Sequence, residues 1–180
     1  MNKNITYIIL DGVECIIKRF GGIKKKFMKN EVEAHNIFKQ YSWYPKVYEI
    51  SDNHIIYKRY GKNLQQSKKD ILNKENEIKK QILDIIWDIF SNSFVHRDIH
   101  GRNFLIEPET QKLVLIDFEF CIENKTNNTF LNSYDIIGKK SGVEPVKTNR
   151  IVEQYLLKNT FIPKNIIFTE KDVLEYYEKI

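Results

Sequence analysis

The sequence predicts an α+β protein, with a small antiparallel sheet and one helix in its first third and a reduced, mainly helical region after it. Three observations carry that expectation. Runs of β-forming residues bounded by turn signals recur over the first sixty or so positions. One stretch among them, from about Phe27 to Tyr41, instead places Phe27, Ala34, Phe38 and Tyr41 at helical spacing. Beyond Gly61 the helical period dominates, interrupted by one pair of short apolar runs. With 180 residues, 42% of them hydrophobic, the chain suits a single domain over 1–180, strand-rich over 1–61 and mainly helical over 62–180.

In order, Ile5 to Leu10 and Val13 to Phe20 read as the strands of a hairpin, because Asp11-Gly12 between them tolerates the positive φ of a tight turn. Gly21-Gly22 ends the second strand. The helix that follows carries Glu31 on its apolar stripe. A carboxylate there is costly unless a cation meets it, so the helix demands a Lys or Arg from a neighbouring element. Lys46 to Ile50 and His54 to Tyr60 read as a further strand pair around an Asp52-Asn53 turn, and Gly61 breaks the last strand. Ser67-Lys68-Lys69-Asp70 has the form of a capping box and predicts the start of a long helix running to about Phe90. Ile78, Ile82, Ile85, Ile86 and Ile89 share one face of it. A polar loop over 95–103 leads into a hairpin of Phe104-Leu105-Ile106 and Leu113-Val114-Leu115-Ile116 around Pro108. Two more helices follow, one from Arg150 to Lys158 and one capped by Thr169 with Asp172.

Composition narrows the function classes. The net charge of +5 comes from lysines dispersed in short clusters, such as Lys24-Lys25-Lys26 and Lys79-Lys80. Such a surface attracts anions, and nucleotides, nucleic acid and acidic proteins all qualify. No nucleic-acid recognition motif accompanies it. Cys15 and Cys121 lack metal-site spacing and form no disulfide framework, which predicts reduced thiols in a cytoplasmic protein. The apolar run Ile8-Ile9-Leu10 stops at Asp11, too short for a signal peptide, and no run approaches the ~20 residues that span a bilayer.

The stretch that carries chemistry is His96-Arg97-Asp98-Ile99-His100-Gly101-Arg102-Asn103, followed after the short hairpin by Asp117-Phe118-Glu119. Taken singly, Asp98 could be a loop-capping carboxylate, Asn103 a turn residue and Asp117 a strand-ending turn former. Together, with Asn103 five positions after Asp98, the stretch resembles the protein-kinase catalytic loop H-R-D-L-x-x-x-N and the metal-binding D-F-G motif. The resemblance implies a two-lobed protein-kinase-like fold that uses ATP and Mg²⁺. It implies that Asp98 orients the attacking hydroxyl or accepts its proton, and that Asn103 and Asp117 hold the metal. His96 is expected to pack near Phe118 and bond backbone, and Arg97 to pair with a carboxylate.

The same resemblance asks for a strand lysine paired with a helix glutamate. Cys15-Ile16-Ile17-Lys18 is similar to the kinase V-A-I-K strand, and Glu31 lies thirteen residues later on the inward stripe, with Glu33 as the competing partner. Strand alternation alone leaves the face of Lys18 open. The end of the fourth strand sits where kinases place the hinge between lobes, so the resemblance implies that the backbone of Lys58, Arg59 and Tyr60 meets the adenine. Asp135 resembles the aspartate that braces the catalytic loop.

Four departures qualify the family. No Gly-x-Gly-x-x-Gly precedes Lys18; Glu119 stands where D-F-G has glycine; His100 stands where Ser/Thr protein kinases have lysine; and no A-P-E lies between Asp117 and Asp135. Glu119 and His100 are similar to choline and aminoglycoside kinases, and the short segment after Asp117 to RIO-type and lipopolysaccharide-core kinases. The expectation is an atypical kinase that moves the ATP γ-phosphoryl to a hydroxyl, most simply Ser or Thr of a protein. The alternatives are a small-molecule acceptor and an inactive kinase-fold binding module.

Overall fold

The computed structural model describes residues 4–67, 73–96, 98–99 and 101–123. Arg97, His100, Asp135 and the two helices expected after Arg150 lie outside the described residues. Four strands form one antiparallel sheet in the order β1-β2-β4-β3, where β1 is Ile5–Leu10, β2 Val13–Arg19, β3 Val47–Ile50 and β4 His54–Lys58. The first turn has φ of 49° at Asp11 and 79° at Gly12, the backbone for which an Asp-Gly pair is suited. Register places Ile5 opposite Lys18, and Cys15 and Lys18 opposite Lys58 and Ile55.

Helix α1, Lys25–Phe38, runs between β2 and β3. Its buried stripe is Met28, Glu31, Ala34 and Phe38, at spacings of three and four. The second helix, α2, spans Glu75–Ser91 and buries Ile78, Ile82, Ile85 and Ile89. Each such side chain gains about 1.5–3 kcal/mol on leaving water, so packing rather than propensity holds α2. Lys68, Lys69 and Asp70 of the expected capping box lie outside the described residues. Ser67 closes a turn, its backbone N–H donating to the Asn63 carbonyl at 3.0 Å, and Asn73 takes a left-handed φ of 71° just before the helix. Asn63 and Gln66 fasten that turn through their own side chains, a local alternative to helix that Asn readily supplies.

The expected hairpin is present as β6, Phe104–Ile106, and β7, Leu113–Leu115. A pairing with no sequence signal joins β5, Phe94–Val95, to β8, Ile122–Glu123. It brings the two ends of the segment containing Asp98 and Asp117 side by side. Between α1 and these strands lies an aromatic core centred on Phe38, whose ring sits 5.4 Å from Trp43, 5.8 Å from Phe94 and 6.0 Å from Phe118.

After β4 the chain is stitched to β6. Gly61 N–H donates to the Ile106 carbonyl at 3.2 Å, Ile106 N–H to the Lys62 carbonyl at 2.9 Å, and Leu64 N–H to the Phe104 carbonyl at 3.0 Å. Gly61 does more here than break a strand. A Cβ at this position would lie 2.7 Å from the Ile106 oxygen and 3.2 Å from Pro108 Cγ, so the backbones meet only because the side chain is absent. Gly61→Ala is therefore expected to destabilise the protein by about 1–3 kcal/mol, read as a lower denaturant midpoint at unchanged m value.

Candidate active site

β2 turns Ile16 and Lys18 to the side facing α1, because alternate strand residues share a face. Lys18 Nζ donates to Glu31 Oε1 and to Asp117 Oδ1, each at 2.5 Å, and lies 3.2 Å from Glu119 Oε1. Glu31 is 1% exposed, and Lys18 13%. The structure thus selects Glu31 over Glu33 as the partner of Lys18. The second Glu31 oxygen accepts a hydrogen bond from the Tyr57 hydroxyl at 2.8 Å. Burial by itself works against the Lys18 ammonium, but the carboxylates of Glu31, Asp117 and Glu119 outweigh it and hold the pKa above the ordinary lysine range. Burial pushes the Glu31 carboxyl up, and Lys18 pulls it only part of the way back. Burial, then the Glu31 charge, raises the Tyr57 phenol.

Asp117 is set by backbone as well as by charge. Its φ of 69° and ψ of 63° are left-handed, a conformation open to Asp more readily than to most residues. The 3₁₀ turn Phe118–Phe120 that follows docks on α1: Asn30 Nδ2 donates to the Glu119 carbonyl at 2.6 Å, and Phe27 meets Phe120 edge-on at 5.3 Å. Phe118 is wholly buried against Tyr44, Trp43, Phe38 and His96.

Asp98 and Asn103 form a second group. Asn103 Nδ2 donates to the Asp98 backbone carbonyl and to Asp98 Oδ2, both at 2.9 Å. His96 braces the loop as expected: its Nδ1 accepts from the Asp98 N–H at 3.2 Å, and its Nε2 lies 3.1 Å from the Ile116 carbonyl. Both contacts are satisfied when the proton sits on Nε2. Ile116 N–H in turn donates to the Asn103 carbonyl at 2.9 Å. The residue before Asp117 is thereby fixed to both His96 and Asn103.

The Lys18 cluster lines a cleft of about 630 Å³, within the range of small-molecule sites. Ile16 and Tyr7 line it from the sheet, Leu105 and Ile116 from the other side, and Lys18, Asp117 and Glu119 stand in its wall. Lys58, Arg59 and Tyr60 line it too, their side chains held by neighbours: Lys58 Nζ to Glu107 at 2.8 Å, Arg59 to Glu14 at 3.0 Å, and the Tyr60 hydroxyl accepting from Lys46 N–H at 2.8 Å. The hydrogen bond between Lys58 and Glu107 raises the first and lowers the second.

Sequence reasoning named Lys18, Glu31 and Asp117, which meet, and Asp98 and Asn103, which also meet. It gave no contact to Glu119, Tyr57 or Asn30. Glu119 was noticeable only as a departure from D-F-G; Tyr57 and Asn30 carry no signal of their own. Oxygen donors of the kind a hard cation takes are present, with the Lys18 ammonium now seated among three of them. Glu31, Asp117 and Glu119 each offer a carboxylate oxygen within 4.8 Å of the others, and Asn103, with its NH₂ engaged by Asp98, has an amide oxygen as its remaining polar atom. Among the described residues no helix is long and apolar enough to cross a membrane.

The sequence model of one family, described as the ABC1 atypical kinase-like domain, matches residues 25–134, more than half of the chain. No curated protein matches it.

Removing Lys18 leaves a buried carboxylate unpaired, which typically costs about 3–5 kcal/mol. Lys18→Met is expected to show a deficit of that size at neutral pH in denaturant melts. A carboxyl whose pKa is raised by folding contributes stability at low pH and loses it as pH rises. The deficit relative to wild type should therefore shrink as pH falls, because the Glu31 carboxyl, pushed up by burial and no longer met by Lys18, takes up a proton.

Proposed function

The chain belongs to the ABC1 atypical kinase-like domain family, within the protein-kinase-like superfamily, and we propose that it is an active phosphotransferase that moves the γ-phosphoryl of ATP to a hydroxyl acceptor. The observation that supports this most is the assembled Lys18–Glu31–Asp117 cluster at the cleft wall, with Asp98 and Asn103 tied to the same backbone segment. In this reading the sheet and α1 form one lobe, the hairpin β6–β7 and α2 belong to the other, and the backbone of Lys58 to Tyr60 takes the adenine between them.

Lys18 contacts the nucleotide phosphates, and Glu31, held by Tyr57, keeps its ammonium in place. Asp117 and Asn103 would hold Mg²⁺ through their side-chain oxygens. When bound, that ion neutralises phosphate charge and withdraws electrons from the transferring group. Asp98 aligns the acceptor hydroxyl and takes its proton as the oxygen bonds to the γ-phosphorus and the bond to the bridging oxygen of ADP breaks. Asn103 orients that carboxylate through its NH₂ group. The acceptor we favour is Ser or Thr of a protein. Two buried, free cysteines fit a reducing compartment, and the location proposed is cytoplasmic.

A kinase-fold binding module without transfer is the competing reading. It is favoured by the excess of carboxylates around Lys18, which disfavours phosphate unless cations enter with it.

Purified protein incubated with γ-labelled ATP and Mg²⁺ decides between them. Label in protein or in inorganic phosphate, lost in Asp98→Ala at retained nucleotide affinity, is the expected result. Nucleotide binding with neither product, across protein and small-hydroxyl acceptors, would favour the module. In calorimetric titrations Asp117→Ala is expected to lose the Mg²⁺-dependent part of ATP affinity; an unchanged affinity would remove Asp117 from the metal site.

A further inference from the structure

Three carboxylates surround one ammonium at the Lys18 end of the cleft, so that end carries net negative charge. A polyphosphate entering it needs cations. Kinases commonly cover these phosphates with the backbone N–H groups of a glycine-rich loop. Here the tight turn of the roofing hairpin, Asp11-Gly12, lies at the opposite end. β2 starts beside the Lys58–Arg59 segment, with Cys15 opposite Lys58 and Arg59 N–H bonded to the Glu14 carbonyl, and runs away from it toward Arg19.

The segment that continues β2 beyond Lys18 is the glycine pair and a 3₁₀ turn, Gly22–Lys24, leading into α1. Gly22 has a φ of 57°, a value that redirects the chain at little cost only for glycine. Lys24 N–H then donates to the Gly21 carbonyl at 3.1 Å. The Lys24 side chain, half-buried, lines the same cleft as Lys18, Asp117 and Glu119. Lys18 already shares its charge with three carboxylates, Lys58 pairs with Glu107 and Arg59 with Glu14. Lys24 makes no ion pair and no side-chain hydrogen bond among the described residues, and its ammonium carries no such prior engagement.

Resting on the nucleotide reading above, we propose that Lys24 is a phosphate-binding residue. Its ammonium takes non-bridging oxygens of the terminal phosphates of a nucleoside triphosphate, supplying charge where the described roof offers no turn of backbone N–H groups. Lysine suits this as a mobile point charge; it needs no fixed fork of donors. Lys24 thereby reads the length of the phosphate chain, whereas the Lys58–Tyr60 end reads the base.

The test is calorimetric titration of the full chain with Mg-ATP and with adenosine, comparing wild type, Lys24→Gln and Lys24→Arg. Lys24→Gln is expected to bind Mg-ATP about ten-fold more weakly or worse, the scale of one charge-assisted hydrogen bond, at unchanged adenosine affinity. Lys24→Arg should retain most of the Mg-ATP affinity. Equal Mg-ATP binding by wild type and Lys24→Gln overturns the assignment of Lys24 and leaves the nucleotide reading standing. A parallel loss of adenosine affinity also overturns it, because a change in cleft shape would then explain both. A wild type that binds neither ligand overturns the nucleotide reading itself, and Lys24 with it.

Discussion

Glu31 is a carboxylate in the apolar stripe of α1, and meeting its charge organises the region around the cleft. A lone buried carboxylate would cost several kcal/mol or take up a proton. Lys18 reaches it from β2 and Tyr57 from β4, so the helix and two strands of the sheet are tied through one side chain. The same ammonium then draws in Asp117 and Glu119, which belong to a segment about a hundred residues further along the chain. The ion cluster is a joint between elements as well as a candidate catalytic centre. Its acidic excess makes the cleft dependent on added cations, which is a sensible property for a site that takes a metal-bound polyphosphate.

Geometry behind the cluster is fixed by apolar packing. Phe118 sits fully buried among Phe38, Trp43, Tyr44 and His96, directly after the left-handed backbone of Asp117. His96 takes part in both layers: its ring packs on Phe118 at 4.6 Å while its two nitrogens bond the backbone of Asp98 and Ile116. A shift of Phe118 would be felt at Asp98 through this one imidazole. The aromatic core and the polar loop are one mechanical unit, consistent with the low tolerance of catalytic groups for displacement.

Much of this was legible in the sequence because the signals were local or matched a known spacing. Asp11-Gly12 announced the hairpin, helical period announced α1, and the cost of burying Glu31 demanded a cation, which Lys18 supplies. The loop from His96 to Asn103 and the Asp117-Phe118 pair drew attention by spacing, and the structure bonds Asn103 to Asp98 and packs His96 on Phe118. What stayed hidden depends on contacts between distant residues. The two-residue strands β5 and β8 are too short to carry a pattern. The turn at Asn63–Ser67 is fastened by its own polar side chains, a contact that local sequence pattern does not announce. Asn30 and Tyr57 are ordinary residues in sequence and become informative only when Glu119 and Glu31 lie beside them.

If the ion pair that joins α1 to the sheet is also the device that presents Lys18 to nucleotide, the two side chains act as one unit. A double-mutant cycle on Mg-ATP affinity, using Lys18→Met, Glu31→Gln and the double variant, measures this most directly. The account predicts that either single change removes most of the affinity and that the double variant is no worse than the weaker single, a coupling of about 1–3 kcal/mol. Losses that add to within about 0.5 kcal/mol would contradict it, because Lys18 and Glu31 would then serve separate purposes.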